Sequence, residues 1–271
     1  MTSGPLGTRM EGFWYNELRD DLLIVHLDED ILQLATNLGR FDRSIGILEE
    51  AADLPESRAV LLLAGKRCFS PERCDAFWEE IADLNKDTNR GESSAKPSAE
   101  LWTVREENAF RRFICTVRNL PRPVLIAFEG DVAFPFLGLA LACDVRIASR
   151  ETVFHNRFLE LGLPAAGGIS YFLPLYVGFH KASEILMQTS ELDSQSAFSL
   201  GLVDEIVPPE NFEDEAIAVG RDWAGRPVEV IAAMKRQLNV HLSDLDKHFD
   251  VEIQEIQKAI RRLDESGPKP V

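Results

Sequence analysis

The stretch Glu129-Gly130-Asp131-Val132-Ala133-Phe134-Pro135-Phe136-Leu137-Gly138 turns at a glycine and opens an apolar helix that runs to Cys143-Asp144. The start of a helix carries unpaired peptide N–H groups and the positive end of the dipole, and together these can hold an anion or a developing oxyanion. Pro135 stands at this opening and has no N–H to give. Proline also suits the first turn of a helix, so the residue fits the element while withholding a donor from anything bound there. The turn after a second apolar strand, Gly65-Lys66-Arg67-Cys68-Phe69-Ser70-Pro71-Glu72, carries another proline, Pro71, which likewise has no N–H. Polar side chains near these two prolines are Glu72 and Asp131, and the segment after Val153-Phe154 carries His155, Asn156 and Glu160. His155 is a candidate general base, because only histidine titrates unperturbed near neutrality. A surface or structurally bonded ring is the alternative reading. Ser70 has no base beside it in the sequence, which argues against a nucleophilic serine.

Other chemistries are excluded more simply. With 29 Lys and Arg against 45 Asp and Glu the net charge is −16, and no basic block offsets it, so neither nucleic acid nor an anionic membrane is an expected partner. The four cysteines (Cys68, Cys74, Cys115, Cys143) form no C-x-x-C pair and the five histidines no H-x-x-x-H pair. No metal site or disulfide framework is expected, and a reducing cytoplasm is the natural compartment. No P-loop or dinucleotide fingerprint occurs. No apolar run reaches the ~18 residues that span a bilayer, and Met1–Glu11 lacks the order of a signal peptide.

Strands must carry these openings to a common edge. The sequence predicts them at Leu22–Leu27, Ala59–Ala64, Val124–Phe128 and Val145–Ala148, with the second and third apolar throughout and so covered on both faces. Helices are predicted at Phe41–Ala52, at Trp102–Asn119 with Phe110, Phe113, Ile114 and Val117 on one stripe, and at Phe136–Cys143. Such alternation implies an α/β fold with right-handed crossovers. Beyond residue 168 the pattern is helical: Lys181–Thr189, Ser194–Leu200, Asn211–Ala224, Val228–Val240 and Ser243–Leu263. This part is amphipathic enough to pack on the core or on a neighbouring subunit. Asn85–Glu100 reads as a surface loop or a lid beside a pocket.

Three stretches in this order resemble the crotonase (enoyl-CoA hydratase/isomerase) superfamily. Arg58–Pro71 is similar to its strand and "G-K-x-F-x-A-G" segment. Pro123–Asp144 is similar to "P-V-I-A-x-x-x-G-x-A-x-G-G-G-x-x-L-A-L-x-C-D". Thr152–Gly168 is similar to "A-x-F-x-x-P-E-x-x-L-G-x-x-P-x-x-G-G". Leu192–Ala197 and Gly201–Pro208 resemble the helix and turn "A-x-x-x-G-L-V-x-x-V-V-P". The resemblance implies a spiral of ββα units over 12–200 and a helical region over 201–264 that forms trimers or dimers of trimers, while the Gly- and Pro-rich ends, 1–11 and 265–271, read as flexible tails. It implies a pocket for an acyl-CoA thioester, which is substrate rather than cofactor, whose enolate is held between two peptide N–H groups while carboxylates move the proton.

Residue by residue, the implied donors fall on Pro71 and Pro135, and the implied carboxylates on Gly138 and Phe158. With Ser70, these residues would wall the pocket. Lys66 and Arg67 lie where relatives hold CoA, or are exposed bases on a turn. If the pocket works by another route, Glu72, Asp131 and His155 are the candidates. Asp144 matches the family's structural acid, Glu160 reads as solvated or ion-paired, and Cys68 and Cys143 as core. Three readings stay open: altered chemistry on an acyl-CoA or small carbonyl compound, a non-catalytic binding or assembly subunit, and an ordinary hydratase or isomerase.

Overall fold

A computed structural model describes residues 14–27, 38–76 and 99–266. Aliphatic runs supply a six-stranded sheet in the order β1 (Trp14–Arg19), β2 (Leu22–Leu27), β3 (Ala59–Ala64), β4 (Val124–Phe128), β6 (Val145–Ser149) and β9 (Glu205–Val207). β1 is antiparallel to β2, and the other neighbours are parallel. A smaller sheet joins β5 (Val132–Ala133), β7 (Val153–His155) and β8 (Glu191–Asp193). The expected spans of β2, β3 and β4 match. β1 was not expected, since Asn16, Glu17 and Arg19 break its apolar pattern at the sheet edge, and two- or three-residue strands are too short to show a period.

β3 and β4 are buried along their whole length. Their alternate side chains enter two cores: Val60, Leu62, Ile126 and Phe128 on one face, Leu61, Leu63, Leu125 and Ala127 on the other. The first face is covered by α1 (Leu38–Ala52) and α3 (Ala99–Asn119), whose Phe110, Phe113, Ile114 and Val117 form the buried stripe read from the sequence. Burying each such side chain fully contributes about 1.5–3 kcal/mol. Residues 71–76 are helical (α2), and α4 (Phe134–Leu141) and α5 (Phe158–Leu161) follow. Then come α6 (Ile169–Val177), α7 (Phe179–Gln188) and α8 (Ser194–Ser199). α6 escapes a reading by punctuation because Gly167-Gly168 precede it and Pro174 lies inside it.

α9 (Phe212–Ala224) closes the second face with Phe212, Ala216 and Ile217. α10 (Val228–Asn239) and α11 (Leu245–Ser266) pack on α3. The C-terminal helices thus pack on their own core. Of the expected loop at 85–100, residues 85–98 lie outside the described residues, while Ala99 and Glu100 open α3. The tails expected at 1–11 and 265–271 lie outside them too, except that 265 and 266 end α11.

Candidate functional site

Parallel pairing puts the carboxyl ends of β3 and β4 level, with Ala64 opposite Phe128, so the loops that follow them share one edge. Glu129 N–H donates to Ala64 O (3.2 Å) and Ala133 N–H to Phe69 O (2.8 Å), which draws the start of α4 beside the start of α2. Phe69 stacks on Phe136 at 4.3 Å and seals the contact. Both prolines therefore sit at adjoining helix openings, Pro71 beginning α2 and Pro135 in the first turn of α4 after the N-cap Ala133.

An open cleft of about 400 Å³ lies over this edge, and Lys66, Arg67, Ser70, Glu72, Glu129 and Asp131 are among its lining residues. Lys66 faces Glu129 at 3.5 Å. The Glu72 carboxylate accepts its own peptide N–H and the Ser70 hydroxyl, and these bonds hold it below the ordinary glutamate value. It is a helix-capping anion and a weak base. Ser70 N–H is directed at Arg67 O (3.5 Å). Neither peptide neighbour of Pro71 is thus an unengaged donor.

Beside the cleft, across the Asp131–His155 contact, is a smaller inner cavity of about 30 Å³, walled by Glu106, Ala133, Pro135, His155, Arg157 and Phe158 among others. It accommodates about two water-sized groups, at roughly 10–15 Å³ each. His155 joins the two spaces: its Nε2 is 3.5 Å from Asp131 Oδ2, on the cleft side, and its Nδ1 is 3.5 Å from Glu191 Oε1. Neither contact is a full hydrogen bond, and Nε2 is buried with no hydrogen-bond partner among the described residues. Asp131 also accepts the Val153 N–H (3.2 Å), which fixes β7. Arg157 is engaged by Asp75 and, at 3.0 Å, by the exposed Glu160.

The structure thus gathers Lys66, Arg67, Ser70, Glu72 and Asp131 around the cleft and Pro135, His155 and Phe158 around the cavity. Gly138 is apart from both. A Cβ there would meet Gly167 O at 2.4 Å and Ile169 N at 2.7 Å, and a Cβ on Gly167 (φ +74°) would meet Pro135 O at 2.5 Å. α4 and the 167–169 turn therefore touch backbone to backbone. Asn156 is structural, its amide donating to Ile185 O, Leu186 O and Thr189 O at 2.9–3.1 Å. Asp144 accepts the Val124 N–H (2.8 Å) and pairs with buried Lys235 at 2.6 Å, a structural role.

Sequence reasoning missed Glu106, which is 6% exposed and which burial pushes up to about 8. The signal was present: carried one turn toward the N-terminus, the stripe of Phe110, Phe113 and Ile114 lands on positions 106 and 107. Glu107, 1% exposed, faces α11 instead, where it shares a hydrogen bond with Glu252 and accepts the Gly167 N–H. Burial and the neighbouring Glu252 and Glu106 carboxyls push it well above the carboxylate range. Glu252 also accepts the Gly168 N–H (3.0 Å) and the Ser170 hydroxyl (2.6 Å), and Ser170 Oγ lies 2.6 Å from His248 Nε2. One turn beyond Glu252, Ile256 of α11 closes the cavity.

The sequence profile of the enoyl-CoA hydratase/isomerase family matches residues 82–267. The chain is 28% identical over 229 residues to a Rhodobacter capsulatus protein named probable enoyl-CoA hydratase, across 84% of this chain and 81% of that one. A Mycobacterium tuberculosis protein of the same description is 27% identical over 246 residues, 85% of this chain and 82% of its own. The crystal structure of an enoyl-CoA hydratase from Bacillus halodurans covers 92% of this chain and 95% of its own with a TM-score of 0.73; at 18% identity this is a likeness of fold. The crotonase-like α/β fold expected from the motifs is the fold observed. By its profile match, its motif order and its architecture, the chain belongs to the enoyl-CoA hydratase/isomerase family.

Proposed function

We propose that this protein binds an acyl-CoA thioester, or a small carbonyl compound, at the cleft and inner cavity, and that its chemistry there is not standard enoyl-CoA hydration. One observation carries the reading: the two positions at which the family pattern sets peptide N–H donors are Pro71 and Pro135, at adjoining helix openings. A preorganised donor aimed at a developing oxyanion is worth on the order of 2.7–4 kcal/mol of barrier in another enzyme, so losing two removes most of that stabilisation. Gly138 and Phe158 stand where the pattern sets carboxylates, and this supports the same reading. Lys66 and Arg67 are the proposed contacts for the CoA phosphates. Calorimetry with CoA and acetyl-CoA, together with a hydration assay on a short enoyl-CoA, tests the proposal. Binding without hydration is the expected result. Turnover at the rate of a glutamate-bearing hydratase refutes it and restores the ordinary hydratase reading, which the names of the relatives favour.

A second reading, a non-catalytic assembly subunit, is favoured by the smallness of the cavity and by an exposed apolar stripe on α10. Val230, Met234 and Leu238 there are 50%, 55% and 60% exposed. This stripe supports self-association as a trimer or dimer of trimers. Absence of CoA binding in a chain that sediments as a trimer selects the assembly reading. Four free thiols, three of them buried, support a reducing, cytoplasmic setting.

A further inference from the structure

We propose that Glu106 is the hydrogen-bond donor of the inner cavity, its carboxyl O–H holding the carbonyl oxygen of a short acyl thioester in place of the peptide N–H groups that Pro71 and Pro135 lack. The inference rests on the acyl-CoA reading above and names the residue and the size of acyl group that the reading leaves open. Glu106 projects from α3 into the cavity that Pro135 and Phe158 wall. Its position is fixed by the rigid helix, which one turn later sets Phe110 edge-on to Phe136 at 6.0 Å, and Phe136 in turn lies on Phe69. The donor is thus held by the same aromatic stack that brings the two proline openings together.

Of the other polar side chains at the cavity, the Arg157 guanidinium is engaged by Asp75 and Glu160. The His155 ring lies between two carboxylates. The carboxyl of Glu106 loses solvation with no compensating cation among the described residues, so it holds its proton at neutral pH. A carboxylate could only accept; the protonated acid donates. An apolar site that keeps a carboxylic acid neutral so that it can bond a forming enolate is an established device in other folds. The narrow part of the cavity, about 30 Å³, favours a short acyl group. Two water-sized groups amount to a carbonyl and one further carbon, which points to an acetyl-sized substituent rather than a fatty chain.

Isotope-edited infrared spectroscopy of acetyl-CoA labelled at its carbonyl tests the assignment. In the wild-type complex the carbonyl stretch is expected to move to lower frequency. Glu106→Leu should abolish the shift and weaken binding up to about tenfold, the effect of one neutral hydrogen bond. Glu106→Gln keeps an N–H donor and should retain most of the shift. In the free protein at neutral pH, a protonated-carboxyl C=O band should be present and should lose the Glu106 component in Glu106→Gln, the component that remains belonging to Glu107. An equal shift in the Leu variant, or a carboxyl band unchanged by Glu106→Gln, overturns the role of Glu106. If neither CoA nor acetyl-CoA binds the wild type, the acyl-CoA reading itself fails and the carbonyl assigned to this donor goes with it. That outcome is distinct from an unshifted carbonyl in a complex that forms.

Discussion

Replacing Glu106 by Gln should stabilise the protein, by an amount that depends on pH. In the unfolded chain this carboxyl ionises near 4.5, whereas burial moves it to about 8 in the folded state. Between these values the folded protein holds a proton that the unfolded chain has released. Stability therefore falls as pH rises through that window, by about 1.4 kcal/mol per pH unit. At about pH 7 the accumulated cost is roughly 3 kcal/mol, and near pH 5 it is below about 1 kcal/mol. Glutamine is nearly isosteric and does not titrate, so its own burial adds a constant offset. Urea unfolding of both proteins from about pH 5 to pH 8 reads the difference, and the urea slope should stay unchanged. The gap in stability should widen steadily with pH and level off above about 8. A gap that is flat across the range refutes the argument, because it means the folded carboxyl titrates like an unfolded one. A protein that gains stability when a buried acid is removed is carrying that acid at a cost, as functional sites do.

Lys235 Nζ bonds Asp144 Oδ2 (2.6 Å), Arg122 O (2.9 Å) and Val117 O (3.2 Å) while 4% exposed. Lys235→Met leaves Asp144 only the more distant Arg118, at 3.7 Å, and should cost about 3 kcal/mol in urea unfolding, at the low end for a broken buried pair, part of it recovered by adding Asp144→Asn. Ser170→Ala removes the hydroxyl that Glu252 accepts and should cost about 1–3 kcal/mol, with earlier proteolytic cleavage within α11. Glu107 lies well above its unfolded value because of burial and then Glu252, so this pair weakens the fold as pH rises past the ordinary carboxylate range. Glu252→Gln should flatten the alkaline side of the stability profile in a thermal melt.

The framework of the fold was legible because its signals are local. Leu22–Leu27, Ala59–Ala64 and Val124–Phe128 are short, wholly apolar runs, and full burial of β3 and β4 follows from the lack of alternation. The two proline openings were legible as chemistry, because a missing N–H is a property of the residue itself. What the sequence concealed was the wall opposite them. Arg105-Glu106-Glu107-Asn108 looks like a solvated turn of helix until it is counted against the apolar stripe below it. Which of the two acids faces the cavity and which faces α11 depends on where α4 and α11 dock, and no local pattern encodes that. The His248–Ser170–Glu252–Glu107 series is hidden for the same reason, since it joins residues from three helices.

At position 138 the packing leaves no room for the side chain that the family pattern sets there. The family pattern sets a carboxylate there, and the simplest test of lost chemistry would be to restore it. Yet any Cβ at 138 falls 2.4 Å from Gly167 O and 2.7 Å from Ile169 N, which are backbone atoms that cannot rotate away. Gly167 is held in turn by its φ of +74° and by contact with Pro135 O, so the turn cannot retreat without disturbing the opening of α4. Gly138→Ala alone should therefore cost about 1–3 kcal/mol, as overpacking does, and a denaturation midpoint like that of the wild type would contradict the close approach. Gly138→Glu should destabilise further without conferring hydratase activity, because the carboxylate enters a contact rather than the cavity. The acid that does reach the cavity, Glu106, comes from the opposite wall, on α3.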